Sequence, residues 1–189
     1  MAASNRKVVP AKAGIPGGNR AHHAGVPASA GTTVLALLLT ACTSVQLPAG
    51  PAPLNPIAFF TGATRGSGTL DPVFGRSVPI TVESRGTPIP GGLRLVQRIS
   101  EGTKAPRTRS WIMRQASPGR FTGILTDAEG PVDIRVEGPR ATIGYRTPSG
   151  LRIRQQLALQ QGGRTLLNRL EAFKFGMRVA TLDETIQKH

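Results

Sequence analysis

Beyond Ile57 the apolar residues return at every second position, in short runs that end at Gly or Pro, and no other pattern in the chain restricts its fold so much. Val132, Ile134 and Val136 alternate with Asp133, Arg135 and Glu137. Leu151, Ile153, Leu157 and Leu159 share one face against Arg152, Arg154, Gln156 and Gln160, and Val78, Ile80 and Val82, then Leu93, Leu95 and Ile99, repeat the scheme. A period of two places successive side chains on opposite faces of a pleated strand, one buried and one wet. Between the runs stand Asp71-Pro72-Val73-Phe74-Gly75, Pro88-Ile89-Pro90-Gly91-Gly92, Ser117-Pro118-Gly119, Glu129-Gly130-Pro131, Pro148-Ser149-Gly150 and Gln161-Gly162-Gly163. These residues fix or free φ and make tight turns. Connections this short join antiparallel neighbours, so the spacing predicts an all-β, up-and-down meander of about nine or ten strands. Such a meander removes its exposed edges by closing into a small barrel. A two-sheet sandwich ranks second, because it needs longer crossing connections.

The segment Leu166 to Phe175 fits both periods, since Leu166, Leu167, Leu170 and Phe173 also suit a helix. Gly176 and the β-branched Val179, Thr181 and Ile186 follow without a cap, which favours a strand and a final hairpin. The 23 Gly and 16 Pro among 189 residues agree with a chain of strands and turns.

Residues 33–41, Thr-Val-Leu-Ala-Leu-Leu-Leu-Thr-Ala, form an uncharged apolar run with basic residues only upstream, as in a secretory signal. It is too short to span a bilayer, which takes about 20 helical residues. Leu39, Thr40, Ala41 and Cys42 follow the order of the lipobox and resemble the processing site of bacterial lipoproteins, and Cys42 is the one cysteine of the chain. That resemblance implies cleavage before Cys42 and acylation of its thiol. The stretch ahead of the run is long for such a signal; a start assigned upstream or a long n-region accounts for it. Thr43 stands where an Asp would favour inner-membrane retention in enteric-type sorting, so the expected location is the cell envelope, on the periplasmic face of the outer membrane in preference to the inner. Thr43 to Pro56 carries four prolines and no charge and reads as an extended tether. The expected organisation is thus a signal region at 1–41, a lipidated cysteine and tether at 42–56, and a β-barrel domain at 57–189.

Downstream of Cys42 the one histidine is His189. Cys/His and Ser/His/Asp nucleophilic catalysis and ordinary zinc sites are therefore not expected, nor is a cofactor. Gly62 to Gly68 lacks the Lys-Ser/Thr end of a phosphate loop and reads as a Gly-rich strand. The acids Asp71, Asp127, Asp133, Glu137, Glu171 and Asp183 are scattered, with no spacing that marks an acid/base pair. The chain is strongly basic, at +14. A basic surface attracts nucleic acid, anionic lipid or acidic polymer, and GC-rich coding writes an Arg excess without any partner. Nucleic acid is disfavoured because, beyond Trp111 and Tyr145, there are few aromatics for base stacking. If Leu167, Arg169, Glu171, Phe173 and Phe175 point one way, they bring an Arg and a carboxylate among aromatics into a lumen, the arrangement that orients a ligand; an internal Arg169–Glu171 pair or a plug at the barrel end is the structural alternative. Trp111, Tyr145, Arg169, Glu171, Phe173 and Phe175 are the candidate ligand-binding residues.

Phe59-Phe60-Thr61-Gly62, Gly66-x-Gly68, Asp71 to Gly75, Arg109-Ser110-Trp111, Gly119-Arg120-Phe121-Thr122-Gly123, Asn168-Arg169, Lys174-Phe175-Gly176 and Lys188 occur in that order. In order and spacing they resemble a family of bacterial envelope lipoproteins with a lipocalin-like, calycin-type domain of unknown function. The resemblance spans residues 57–188 and implies a small barrel at the envelope, with no activity attached. The expected function is a membrane-anchored, non-catalytic barrel binding a lipid or other small apolar ligand. A structural lipoprotein that docks a basic face (Arg107, Arg114, Arg135, Arg146, Arg152, Arg154) on anionic envelope polymers or lipids is the alternative. An enzyme acting on envelope lipids through Glu171 ranks third.

Acylation needs the thiol, so Cys42→Ser is expected to abolish metabolic labelling by a fatty-acid analogue and to leave the chain uncleaved or released. A label that persists in Cys42→Ser would overturn the anchor.

Overall fold

The computed structural model describes residues 46–189. Leu39, Thr40, Ala41 and Cys42 lie outside the described residues. A short helix, α1 (Pro56–Phe60), precedes ten strands: β1 (Gly62–Pro72), β2 (Val78–Ile89), β3 (Gly92–Glu101), β4 (Arg107–Ser117), β5 (Arg120–Leu125), β6 (Val132–Glu137), β7 (Arg140–Arg146), β8 (Arg152–Leu159), β9 (Thr165–Lys174) and β10 (Met177–Lys188). Each strand pairs antiparallel with its successor, and β10 returns to pair with β1, so the sheet is a closed barrel with no free edge. The meander and its closure are as the turn spacing predicts.

Alternation sets the faces. Along β3, Leu93, Leu95, Gln97 and Ile99 point inward while Arg94, Val96 and Arg98 point out. Leu93, Val132, Ile134 and Leu166 are fully buried, and each such side chain stabilises the fold by about 1.5–3 kcal/mol. Leu166 to Lys174 is a strand, paired with β8 on one side and β10 on the other. Phe175 and Gly176 close the β9–β10 hairpin at φ 51 and 82. A two-residue hairpin whose central residues both have positive φ matches the right-handed twist of its strands, and Gly176 meets that demand without strain.

One end of the barrel is shut. Asn55 caps α1, its side chain accepting from Ala58 N–H at 3.1 Å, and Pro56 opens the first turn. Phe59 and Phe60 are buried in the end of the core, edge to face with centroids 5.1 Å apart. Lys188 holds α1 by donating from Nζ to the carbonyls of Ala58 and Phe59.

The segment expected to be a tether is attached from Leu47 onward. Arg140 donates to Leu47 O (3.1 Å), Gln160 to Pro48 O (2.7 Å), Gly50 N–H to Leu159 O (2.7 Å) and Leu54 N–H to Gly138 O (2.8 Å). Leu54 is buried. The expected boundary at Ile57 is therefore corrected: proline keeps this stretch extended, and an extended chain can give its backbone groups to the turns of the closed end. The opposite end carries the β1–β2, β3–β4, β5–β6, β7–β8 and β9–β10 connections.

Candidate functional site

The inward face is not uniformly apolar. Where the alternation skips a hydrophobe, a polar side chain enters the lumen: Ser84 after Val82, Gln97 between Leu95 and Ile99, Gln155 between Ile153 and Leu157, Asn168 after Leu166, and Glu184 between Leu182 and Ile186. Strand register brings them into two hydrogen-bonded groups. On one side Ser84 stands opposite Gln97, and Gln97 opposite Arg109. Gln97 Nε2 donates to Ser84 Oγ (3.0 Å), and Gln97 Oε1 accepts from Arg109 Nε (2.8 Å) and Trp111 Nε1 (3.0 Å). On the other side Asn168 stands opposite Glu184, with Gln155 on the diagonal. Gln155 Nε2 donates to Asn168 Oδ1 (3.0 Å), and Asn168 Nδ2 donates to Glu184 Oε2 (2.7 Å).

Glu184 reaches this place because β1 has no side chain at Gly66, where a Cβ would collide with the Glu184 carboxylate. Burial raises the Glu184 pKa above its ordinary value; the Asn168 hydrogen bond and the charge of Arg109 oppose the shift without cancelling it. The Tyr145 phenol is also raised by burial, against the pull of Arg109. Tyr145 meets Trp111 edge to face at 6.3 Å, and the Arg109 guanidinium lies 6.0 Å from the Trp111 ring. Arg109 thus stands among Gln97, Trp111, Tyr145 and Glu184. Among the described residues, three buried polar atoms on the inward face have no partner: Gln155 Oε1, Glu184 Oε1 and Thr64 Oγ1. The unpartnered oxygens of Gln155 and Glu184, with the Arg109 guanidinium nearby, leave hydrogen-bonding capacity for a polar group at this centre.

Of the residues singled out by sequence, Trp111 and Tyr145 lie together at this centre. Arg169, Glu171, Phe173 and Phe175 do not, and the expectation that they enter the lumen is corrected. The inward residues of β9 are Leu166, Asn168, Leu170 and Ala172, because burying Leu166 fixes the phase of the strand. Arg169 faces out and binds Asp183 through two bonds of 2.7 and 2.9 Å, while Glu171 pairs with Arg178 at 3.1 Å, so no Arg169–Glu171 pair forms. Phe173 lies under the guanidiniums of Arg152 (5.0 Å) and Arg154 (5.7 Å) on the outer surface. Phe175 is exposed in the hairpin turn. Ser84, Gln97, Gln155 and Glu184 are not singled out in the sequence, and Arg109 and Asn168 stand there only within the resemblance motifs and not as ligand-binding candidates; the signal that marks most of them is an isolated polar residue at an apolar beat of the period.

The outer surface carries a separate cleft of about 860 Å³ across β1, β2 and β3, lined by Arg65, Arg85, Arg94 and Arg98 with Ile89 and Val96. Glu83 lies 3.7 Å from Arg65 and 3.9 Å from Arg98.

No protein-family model and no curated protein matches the chain. Among solved structures the fold is similar to that of the S-type phycobiliprotein lyase CPES from Guillardia theta, with a TM-score of 0.55 and 4% identity over 70% of this chain and 90% of that one. The likeness supports a calycin-like, lipocalin-like barrel. It also corrects the expectation of a non-enzyme. That expectation rested on missing His and Cys, whereas a protein described as a lyase is built on this architecture.

A buried glutamate with a raised pKa adds stability while protonated, and that contribution is fully present below the unfolded value of 4.5 and lost as pH rises through the folded value. Glu184→Gln, neutral at every pH, is expected to raise Tm relative to wild type at pH 8 and much less at pH 4. A Tm difference that is constant with pH would contradict the burial of this carboxyl.

Proposed function

We propose that the barrel binds a small amphipathic ligand, with its polar end at Glu184, Gln155 and Arg109 and its apolar part against Trp111 and Tyr145. The observation that carries this reading is the set of unpartnered polar atoms on the inward face. An unsatisfied buried acceptor costs about 1–3 kcal/mol, and native folds retain such groups mainly where something else completes them. A fatty acyl chain with a hydrogen-bonding head is the ligand class that suits an apolar lumen with one polar centre.

In this proposal the barrel works at the bacterial envelope, held through acylated Cys42, with the periplasmic face of the outer membrane preferred. The lipobox order of Leu39 to Cys42 supports that placement. A second reading, docking on anionic envelope polymers, is favoured by the outer cleft, where among the described residues Arg85 and Arg94 have no carboxylate partner.

Trp111 is the one tryptophan of the chain and lies in the lumen, so its emission reports occupancy. Titration with dodecanoate is expected to change that emission, and lipid extraction of protein taken from its own membrane is expected to yield a bound acyl compound. Gln155→Leu together with Glu184→Gln is expected to weaken dodecanoate binding about tenfold or more, the loss of a hydrogen bond to a charged or strongly polar head. No extracted lipid and an unchanged emission would refute lumenal binding.

A further inference from the structure

The end of the barrel opposite α1 carries exposed apolar side chains on two neighbouring connections: Val73 and Phe74 between β1 and β2, and Phe175 and Met177 at the β9–β10 hairpin. The two are adjacent because β1 and β10 are paired there, with Pro72 opposite Ala180 and Val73 N–H donating to Val179 O at 2.9 Å. Phe74 is 91% exposed and Phe175 88% exposed. Phe175 also sits at φ 51, a conformation that favours Gly or Asn and that bulky residues seldom adopt. The isolated barrel therefore gains nothing from a phenylalanine at 175: its ring is in water and its backbone is strained.

Charge indicates what covers these rings. The Lys174 ammonium is 5.8 Å from the Phe175 ring, and Arg76 and Arg178 are exposed beside the two tips. The nearby acids are Asp71 and Glu171, and Glu171 is paired with Arg178. Aromatic tips among cations match the boundary of a bilayer, where rings enter the acyl region and cations meet phosphates. We propose that this end of the barrel is a membrane-contact edge, with Phe74 and Phe175 entering a leaflet that carries anionic phospholipid and Lys174, Arg76 and Arg178 at its headgroups. The proposal goes beyond lumenal binding and does not depend on it.

The test uses the full chain on vesicles of phosphatidylglycerol and phosphatidylcholine with brominated acyl chains, which quench tryptophans that reach them. Phe74→Trp and Phe175→Trp are compared with Ile124→Trp, placed on an exposed apolar position of β5, and the buried Trp111 of wild type sets the background. The tip tryptophans are expected to lose about half their added emission and the one at 124 almost none, whatever else holds the chain to the vesicle. Phe175→Gly is expected to raise Tm, because strain is released, and to reduce quenching at Phe74→Trp at least twofold; the opposite signs separate lost contact from lost fold. Equal quenching at 74, 175 and 124, or none at the tips, would overturn the proposal. So would a dimer that Phe175→Gly dissociates in a chain whose tips remain unquenched, since a second copy would then cover the rings.

Discussion

The pairing of the first strand with the last is the interaction on which the rest of the barrel depends. Nine consecutive residues of β1, from Thr64 to Pro72, stand opposite β10 from Lys188 back to Ala180. Without this ladder the meander is an open sheet with two long unpaired edges. The approach is close: a Cβ at Gly68 would collide with the Asp183 carbonyl, and one at Gly66 with the Glu184 carboxylate. Glycine within a strand costs about 0.5–1 kcal/mol relative to alanine. Here that cost brings closure and, at Gly66, space for a carboxyl on the lumen side. The glycines that shut the cylinder also admit its most unusual side chain.

The polar centre is expensive for so small a domain. Ser84, Gln97, Gln155, Asn168 and Glu184 are all buried, and their mutual hydrogen bonds leave acceptors on Gln155 and Glu184 unsatisfied. At about 1–3 kcal/mol each, such atoms consume a substantial share of a net stability of about 5–15 kcal/mol. Hydrophobic side chains of similar size would serve stability better. The strained and exposed Phe175 presents the same imbalance on the outside of the barrel, and the proposed lumenal ligand and lipid surface would each offset one of them.

Much of this architecture was legible in the sequence. Period-two runs separated by Gly and Pro specify strands, and short connections specify antiparallel neighbours, so the meander, its closure and the strand at Leu166 could all be read from residue order. The phase of β9 could not. Leu166, Asn168, Leu170 and Ala172 compete with Leu167, Arg169, Glu171 and Phe173, and both sets alternate. The aromatics suggested the second, whereas the fully buried Leu166 selects the first. The lumenal polar set was hidden for a related reason: Gln97 or Glu184 on an apolar beat reads as a break in the pattern until its cross-strand partner is known. Attachment of Leu47 to Leu54 at the closed end was equally invisible, because it uses backbone groups that every proline-rich stretch possesses. The expectation of a non-enzyme rested on missing nucleophiles and metal ligands, whereas the same architecture carries a protein described as a lyase.

A desolvated Glu184 inside the closed barrel is the central claim, and carbon NMR of its side-chain carboxyl in the full-length chain, followed through an acid titration, tests it most directly. A midpoint above the ordinary glutamate value of 4.5 is expected, because burial outweighs the Asn168 hydrogen bond and the charge of Arg109. A midpoint at or below 4.5 would place the carboxyl in water or in a full ion pair and would contradict the polar centre described for this lumen.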